Sequence, residues 1–258
     1  VALYRTEKKA FGVIDSWKEN NLIFATAGLD TIWVNNPGDY SLQRTCFLQN
    51  NILTSNSISI NMGSCHDTLN INLRLQGYMD VNGTMLSVLT NEGVGTNVTE
   101  TDTVFIELHD ANNKTNILYQ SKTILSTEGS CSLHVPQNLL NTTPFYIVIK
   151  HRNSIETWSA NPVLFTAQTT YDFSTAASQA YGNNQIEVEP GVFALYSGDI
   201  NQDGFIDSFD FPLLDTDIFN GVSGMYVNTD LNGDGFVDSF DFPVFDVNSF
   251  NGVSVMTP

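Results

Sequence analysis

Alternating hydrophobic and polar residues over roughly the first 190 positions predict strands, and no convincing helical periodicity interrupts them. The clearest case is the segment 69–76, in which Leu69, Ile71, Leu73 and Leu75 fall on one face. A period of two is typical of a half-buried strand, because successive side chains point to opposite sides of a sheet. Similar short runs predict further strands over 103–109, 131–135, 145–150, 162–167 and 169–173. Their spacing favours a β-sandwich domain over residues 66–190.

The amino-terminal segment predicts a smaller β domain over residues 1–65. Residues 30–34 and 39–46 have strand character and flank the turn-forming residues Asn35 to Gly38, and a further strand is predicted over 55–61. Together with Trp17 ahead of a short strand, this order resembles a partial Ig-like or PKD-like repeat of large secreted proteins of Bacteroidetes-type bacteria. The resemblance implies an extracellular or cell-surface location.

Charge is unbalanced and segregated along the chain. The sequence has 10 Lys plus Arg against 28 Asp plus Glu, a formal net charge of -18, and Arg152 is its last basic residue. This balance argues against a nucleic acid or an anionic membrane as partner, because phosphate binding depends on cationic side chains. Since no run of about 18 apolar residues occurs, no transmembrane helix is predicted. Metal cations are the natural counter-charge for the carboxy-terminal half.

An Asp-rich pattern of twelve residues begins at Asp199 and recurs 31 residues later at Asp230. Ca²⁺ takes six to eight oxygen ligands, and a twelve-residue loop supplies them from positions 1, 3, 5, 7, 9 and 12. In the first loop those positions are Asp199, Asn201, Asp203, the Phe205 carbonyl, Asp207 and Asp210. In the second loop they are Asp230, Asn232, Asp234, the Phe236 carbonyl, Asp238 and Asp241.

The remaining loop positions also suit calcium. Gly204 and Gly235 occupy position 6, where the chain turns sharply and glycine adopts the required backbone at least cost. Each loop has four carboxylates, which repel one another at close range without a cation. The sequence therefore predicts two bound calcium ions in a module spanning residues 191–258.

The duplication extends beyond the loops. The segments 208–212 and 219–223 return as 239–243 and 250–254, so each unit consists of a loop, a short helix and a turn. Pro212 and Pro243 are compatible with a helix's first turn, where the missing N–H has no intrahelical acceptor. The duplication, the Asp at position 12 and the lack of a preceding long helix make the segment resemble a type I dockerin.

The dockerin resemblance implies that loop positions 10 and 11 help to contact a cohesin partner. Those positions are Ser208-Phe209 and Ser239-Phe240, although, unlike in cellulosomal dockerins, no Lys or Arg follows either loop and a proline opens each helix. The alternative is that Phe209 and Phe240 pack one helix against the other. We expect this packing role.

Catalytic motifs are not found in the sequence: no G-x-S-x-G, H-E-x-x-H, P-loop or paired C-x-x-C occurs. Cys46 and Cys65 could form a disulfide, or they could be buried thiols, and Cys131 is expected to stay reduced. Trp17, Trp33 and Trp158 could line a sugar platform or be buried aromatics.

The sequence thus predicts a mainly β, non-enzymatic extracellular protein with a structural or adhesive role, stiffened by calcium and acting through self-association or a surface partner. The alternatives are a binding module, docking to a protein or recognising carbohydrate through the sandwich, and the non-catalytic tail of a secreted enzyme.

Overall fold

The computed structural model divides the chain into two compact units, residues 1–65 and residues 66–258. In the first unit it describes only the backbone of the strands. In the second it describes every residue except 96, 137–138, 140–141 and 167, with side chains from Thr68 onward. The protein is mainly β, with several sheets followed by a small helical module at the carboxy terminus, as the sequence predicts.

The first unit contains two antiparallel sheets. Its strands are β1 (Ala2–Tyr4), β2 (Val13–Glu19), β3 (Leu22–Thr26), β4 (Thr31–Trp33), β5 (Gly38–Cys46), β6 (Asn51–Thr54) and β7 (Ile58–Ile60). Strand β1 pairs with β4, and the larger sheet has the order β3-β2-β5-β6 with β7 also on β5.

The two strands predicted on either side of the turn at residues 35–38 do not form a hairpin with each other among the described strands. Both strands exist as β4 and β5, but in the described strands β4 pairs with β1 and β5 pairs with β2, β6 and β7. A strand has only two hydrogen-bonding edges. Strand β2 takes one edge of β5 over seven residue pairs, and β6 and β7 share the other.

The second unit begins with two sheets that enclose one core. The larger sheet has the order β10-β9-β12-β13, and the smaller has the order β11-β8-β14 with β14 parallel to β8. A hairpin, β15-β16, follows. The strands are β8 (His66–Asn72), β9 (Glu100–Asp110), β10 (Ile117–Ser126), β11 (Ser130–Pro136), β12 (Phe145–His151), β13 (Ser154–Trp158), β14 (Gln168–Asp172), β15 (Ile186–Glu189) and β16 (Val192–Ala194).

The core between these sheets follows the predicted alternation. Leu69, Ile71, Leu73 and Leu75 are all fully buried. They belong to one cluster with inward-facing residues of β9, β11 and β12, among them Ile106, Leu133 and Ile147. Burying this apolar face against a second sheet removes it from water, which is the main favourable contribution to folding.

Some strand predictions fail in detail. Strand β8 ends at Asn72, so residues 73–76 continue its buried face outside the strand. Within 162–166 there is only an isolated bridge from Val163 to Phe145, and no strand. Strand β10 was not predicted, because it lies at a sheet edge and most of its residues are partly or fully exposed, which weakens the hydrophobic pattern.

The carboxy-terminal module has its own small core. Besides the short helix α1 (Val88–Asn91) in the sandwich region, the described α-helices are α2 (Phe211–Asn220) and α3 (Phe242–Phe250), with Pro212 and Pro243 in their first turns as predicted. The core comprises Ile155, Ile200, Ile206, Leu214, Leu231, Val237, Phe245 and Val253. Since Ile155 belongs to β13, the module packs directly on the sandwich. That residues 191–258 form a separate domain stays a prediction.

Candidate functional site

The first Asp-rich loop, residues 199–210, is folded around its own carboxylates. Asp210 Oδ1 accepts hydrogen bonds from the N–H groups of Ile200 (2.8 Å) and Asn201 (3.0 Å), and Asp210 Oδ2 accepts one from Asp207 N–H (3.0 Å). Asp199 accepts from Asp203 N–H at 3.1 Å and Gly204 N–H at 3.2 Å. The carboxylates at positions 1 and 12 therefore hold the two ends of the loop together.

The second loop, residues 230–241, repeats this arrangement. Asp241 Oδ1 accepts from Leu231 N–H at 2.7 Å and Asn232 N–H at 3.0 Å, and Asp230 accepts from Gly235 N–H at 3.0 Å. Gly204 and Gly235 have the same φ, 88°, in the region that favours glycine. The sequence-predicted glycine role at position 6 is thus met in both loops.

Each loop forms a backbone hydrogen bond with the segment that follows the helix of the other copy. Ile206 N–H donates to the Val253 carbonyl at 2.9 Å, and Val237 N–H donates to the Val222 carbonyl at 2.9 Å. Ile206 and Val237 occupy position 8 of their loops, and Val253 and Val222 occupy equivalent positions after the two helices. The two copies therefore exchange backbone hydrogen bonds reciprocally, which gives the module an approximate two-fold internal symmetry.

The carboxylates at positions 1 and 12 of the two loops are buried, and too few positive charges lie nearby to neutralise them. Asp199 is 2% exposed, and Asp210, Asp230 and Asp241 are not exposed. Burial, reinforced by the charge of Asp210, raises the pKa of Asp199 to about 7. Burial likewise raises the pKa of Asp230 to about 6, and Asp241 adds to that effect. Since desolvation and like charge both disfavour ionisation, these sites favour a cation.

The ligands proposed from the sequence lie in two separate groups, one in each loop. The donors are all oxygens, from carboxylates, an Asn side chain and a main-chain carbonyl, which is the chemistry that suits Ca²⁺. Among the described residues no cluster of three or more His, Cys, Asp or Glu has the spacing of a metal site. Several of the carboxylate oxygens instead accept backbone N–H groups, as when Asp203 accepts from Phe205 and Asp234 from Phe236.

The expectation that Phe209 and Phe240 pack the helices together is wrong. Their side chains are 73% and 72% exposed. The aromatic contacts between α2 and α3 come from Phe211 with Phe242, 5.9 Å between ring centroids, and Phe211 with Phe245, 6.2 Å. Phe209 and Phe240 precede the helices, and their N–H groups bond to the carboxylates of the ninth loop position. The turn before each helix therefore leaves both rings in solvent.

A polar cluster in the sandwich supports the second loop. Arg152 donates to Asp102 (3.0 Å), Glu92 (2.8 Å) and the Val227 carbonyl (2.9 Å). Asn153 Nδ2 donates to the Asp230 carbonyl at 2.9 Å. Burial alone would lower the pKa of Arg152, but its negatively charged neighbours raise it above its ordinary value, so the guanidinium stays charged.

No local sequence motif marks this polar cluster. Its one signal was that Arg152 is the last cation before a long acidic segment. Glu92 lies 60 residues from Arg152 in the chain, so only the fold brings them together.

Other candidate residues are structural. Trp158 is 6% exposed and packs on His109 with ring centroids 4.6 Å apart, so it is a buried aromatic and not a platform. His109 bonds to Glu107 at 2.8 Å and His151 to Asp102 at 3.2 Å. Cys131 is free and buried. The side chains of Cys46, Cys65, Trp17 and Trp33 lie outside the described part of the chain.

None of the helices in the described ranges has the length and apolar character of a membrane-spanning helix. A comparison with curated protein sequences gives no match. Among solved structures, the one titled "Crystal Structure of S.CueP" aligns with 8% identity, covering 50% of this chain and 69% of that chain. Its TM-score is 0.24, too low to support any argument about fold or function.

Residues 197–247 match the family described as Dockerin type I domain. Type I dockerins are non-catalytic modules that bind calcium and dock to cohesin proteins, and they occur in extracellular or cell-surface proteins. The match includes both Asp-rich loops and α2. The carboxy-terminal module of this chain is therefore similar to a type I dockerin.

Proposed function

We propose that this chain is a non-catalytic extracellular protein whose carboxy-terminal module, organised by two calcium ions, docks to a protein partner. The observation that carries this proposal is the exposure of Phe209 and Phe240 at equivalent positions of the two copies. Two large aromatic side chains held in water by an ordered turn cost free energy unless a partner covers them, since buried apolar area contributes about 25 cal/mol per Å².

Further exposed aromatics extend the proposed docking surface. Phe219 and Phe250, at the ends of α2 and α3, are 89% and 90% exposed. Aromatic residues in the centre of an interface commonly contribute most of the binding free energy. The module has no Lys or Arg, so we expect its partner to present basic residues around apolar pockets.

Calcium would hold this surface in place. In each loop the carboxylate at position 9 fixes the backbone N–H of the exposed Phe at 2.7–2.8 Å, and that carboxylate is also a proposed calcium ligand. Asp207 and Asp238 therefore connect the ion to the docking residue. Calcium would also have a structural role, because the module packs on Ile155 and would transmit its calcium-dependent rigidity to the sandwich.

Docking is tested by titrating the protein with a panel of purified cohesin domains in calcium. The double variant Phe209→Ala/Phe240→Ala should bind at least about tenfold more weakly, since truncating a central aromatic typically costs about 2 kcal/mol or more. The double variant Phe219→Ala/Phe250→Ala removes two other exposed rings, which extend the surface at the helix ends, and should weaken binding less. Equal loss in both variants, or none in the first, contradicts the assignment of the docking surface.

Calcium binding is tested separately by calorimetry and by proteolysis. Calorimetry should give about two calcium ions per chain. Chymotrypsin should cut the module rapidly in chelator and slowly in calcium, because a ligand that binds the native state stabilises it by about 2.7 kcal/mol at a hundredfold excess over Kd. Trypsin is uninformative because no Lys or Arg follows Arg152. Resistance that is the same with and without chelator would contradict a structural role for the ions.

A further inference from the structure

The sandwich and the module together form a cleft of about 600 Å³, and all its lining residues except Gln202 lie outside the two Asp-rich loops. Its floor is the outer face of the larger sheet and its roof comes from the module. The lining residues are Asp102, Thr103, Phe105, Lys122, Lys150, His151, Arg152, Gln202 and Tyr226. Three cations thus line one cleft in a protein whose net charge is -18.

Three of these residues form a row across adjacent strands. Phe105 on β9 is the direct register partner of Lys122 on β10 and of Lys150 on β12. Direct partners lie on the same face of a sheet, and neighbouring strands are about 4.8 Å apart. The two lysines therefore flank the half-buried Phe105 ring, with about 10 Å between their backbones.

The two lysines differ in how far their charges are already compensated. Lys150 pairs with Glu107 at 3.1 Å and with Glu156 at 3.3 Å, and Arg152 is held by Asp102 and Glu92. Lys122 is exposed and, among the described residues, has no ion pair or side-chain hydrogen bond. The row therefore offers one free ammonium beside an apolar ring face, and a second ammonium that can share a ligand.

Unused hydrogen-bonding groups line the same cleft. Within the described residues, neither the Thr103 hydroxyl nor the Tyr226 hydroxyl has a hydrogen-bond partner. The Gln202 side chain uses its Nε2 on the Asp199 carbonyl, which leaves its Oε1 without a donor in the described part of the chain. These groups could bind hydroxyls of a ligand seated on Phe105.

The roof residues also have unusual backbone conformations. Gln202 and Tyr226 have φ of 59° and 54°, and only one other non-glycine residue in the described ranges, Asn183, has a positive φ. Tyr226 is held there by its N–H, which donates to Glu92 at 3.0 Å, and by the Arg152 guanidinium 5.8 Å from its ring centroid. Gln202 is the fourth residue of the first Asp-rich loop, and its counterpart Gly233 also has a positive φ, 75°, so the loop itself sets the conformation of Gln202.

We propose that this cleft binds a saccharide bearing one carboxylate. The sugar ring would stack on Phe105, the carboxylate would pair with Lys122 and approach Lys150, and the hydroxyls would bond to Thr103, Gln202 and Tyr226. A single acidic group fits better than a polyanion, because the excess negative charge of the chain repels a run of carboxylates or phosphates. The lining includes neither Phe209 nor Phe240, so its residues differ from the proposed docking residues.

The test is calorimetric titration, in calcium, with a disaccharide that contains one glucuronic acid and with the matching disaccharide of neutral glucose. The acidic sugar should bind more tightly than the neutral one, and its binding should weaken as salt is raised. Lys122→Ala should weaken it about tenfold, since a hydrogen bond to a charged group is worth about one power of ten in affinity. Lys114→Ala removes the same charge from an exposed turn outside the cleft and should leave binding unchanged.

Phe105→Leu separates a sugar site from a simple anion site. Loss of the ring face should weaken the disaccharide and leave any binding of inorganic phosphate unaffected. The proposal is overturned if the two disaccharides bind alike, if neither binds, if Lys122→Ala has no effect, or if Phe105→Leu leaves disaccharide binding unchanged. Thermal unfolding of each variant in calcium shows whether it is folded, and Lys122→Ala, at an exposed position, should unfold like the wild type.

Discussion

A single methyl group at Gly77 should disturb the second Asp-rich loop from outside it. Gly77 lies in the short turn that follows the buried segment 69–75, and a Cβ there would be 1.9 Å from the Leu231 carbonyl oxygen. Leu231 is the second residue of that loop, is fully buried, and donates its N–H to Asp241 at 2.7 Å. Because Cβ contacts below 3.0 Å do not occur, either the turn or the loop must shift by about an ångström.

The size of the effect follows from overpacking. Forcing extra volume against a well-packed neighbour typically costs about 1–3 kcal/mol. We expect Gly77→Ala to lower the free energy of unfolding by that amount. If the clash costs more free energy in the calcium-bound loop than in the free loop, the calcium affinity of the second loop falls. The expected fall is roughly tenfold to a hundredfold, at about 1.4 kcal/mol per tenfold.

The assay is calorimetric calcium titration of Gly77→Ala in a background in which Asp210→Ala has disabled the first loop, together with urea denaturation. Gly191→Ala is the control, because a Cβ there meets nothing within 4 Å and only the local backbone strain of its positive φ is added. Wild-type calcium affinity together with unchanged unfolding would refute the contact. The contact would also be refuted if Gly77→Ala lowered calcium affinity only in an Asp241→Ala background, in which the first loop is the one measured.

Three further predictions concern the cores and the buried acids. Leu214→Ala should destabilise by about 2–5 kcal/mol in urea denaturation, whereas Leu213→Ala, 44% exposed, should cost less than about 1 kcal/mol; similar values would contradict the module core. In chelator, the unfolding temperature should fall as pH rises from about 4 to 7. The reason is that the raised pKa values of Asp199 (about 7) and Asp230 (about 6) let the folded state hold protons that the unfolded state has released. An unfolding temperature that stays flat or rises with pH would contradict this. Cys131, whose pKa burial raises to about 12, should resist iodoacetamide at pH 8 until the protein is unfolded, and rapid native alkylation would show that it is accessible.

The local geometry of the two Asp-rich loops could be predicted from the sequence because it is a property of short segments. Twelve contiguous residues set which oxygens are near one another, where glycine must allow the turn, and where a proline can begin a helix. The same holds for the alternation around Leu69 and Ile71, since the period of a strand is set by its own backbone. These features do not need distant residues to define them.

The tertiary structure decided what those segments contact. The pairing of β4 with β1 depends on which edges remain free after β5 is paired, and no local pattern carries that information. Whether Phe209 faces the neighbouring helix or solvent depends on how α2 and α3 meet, and in the structure Phe211 and Phe245 fill that seam instead. Arg152, Lys122 and Phe105 converge with the module only because separate strands and loops fold together. Such long-range arrangements are set by burial summed over the whole chain, and a sequence read segment by segment does not contain them.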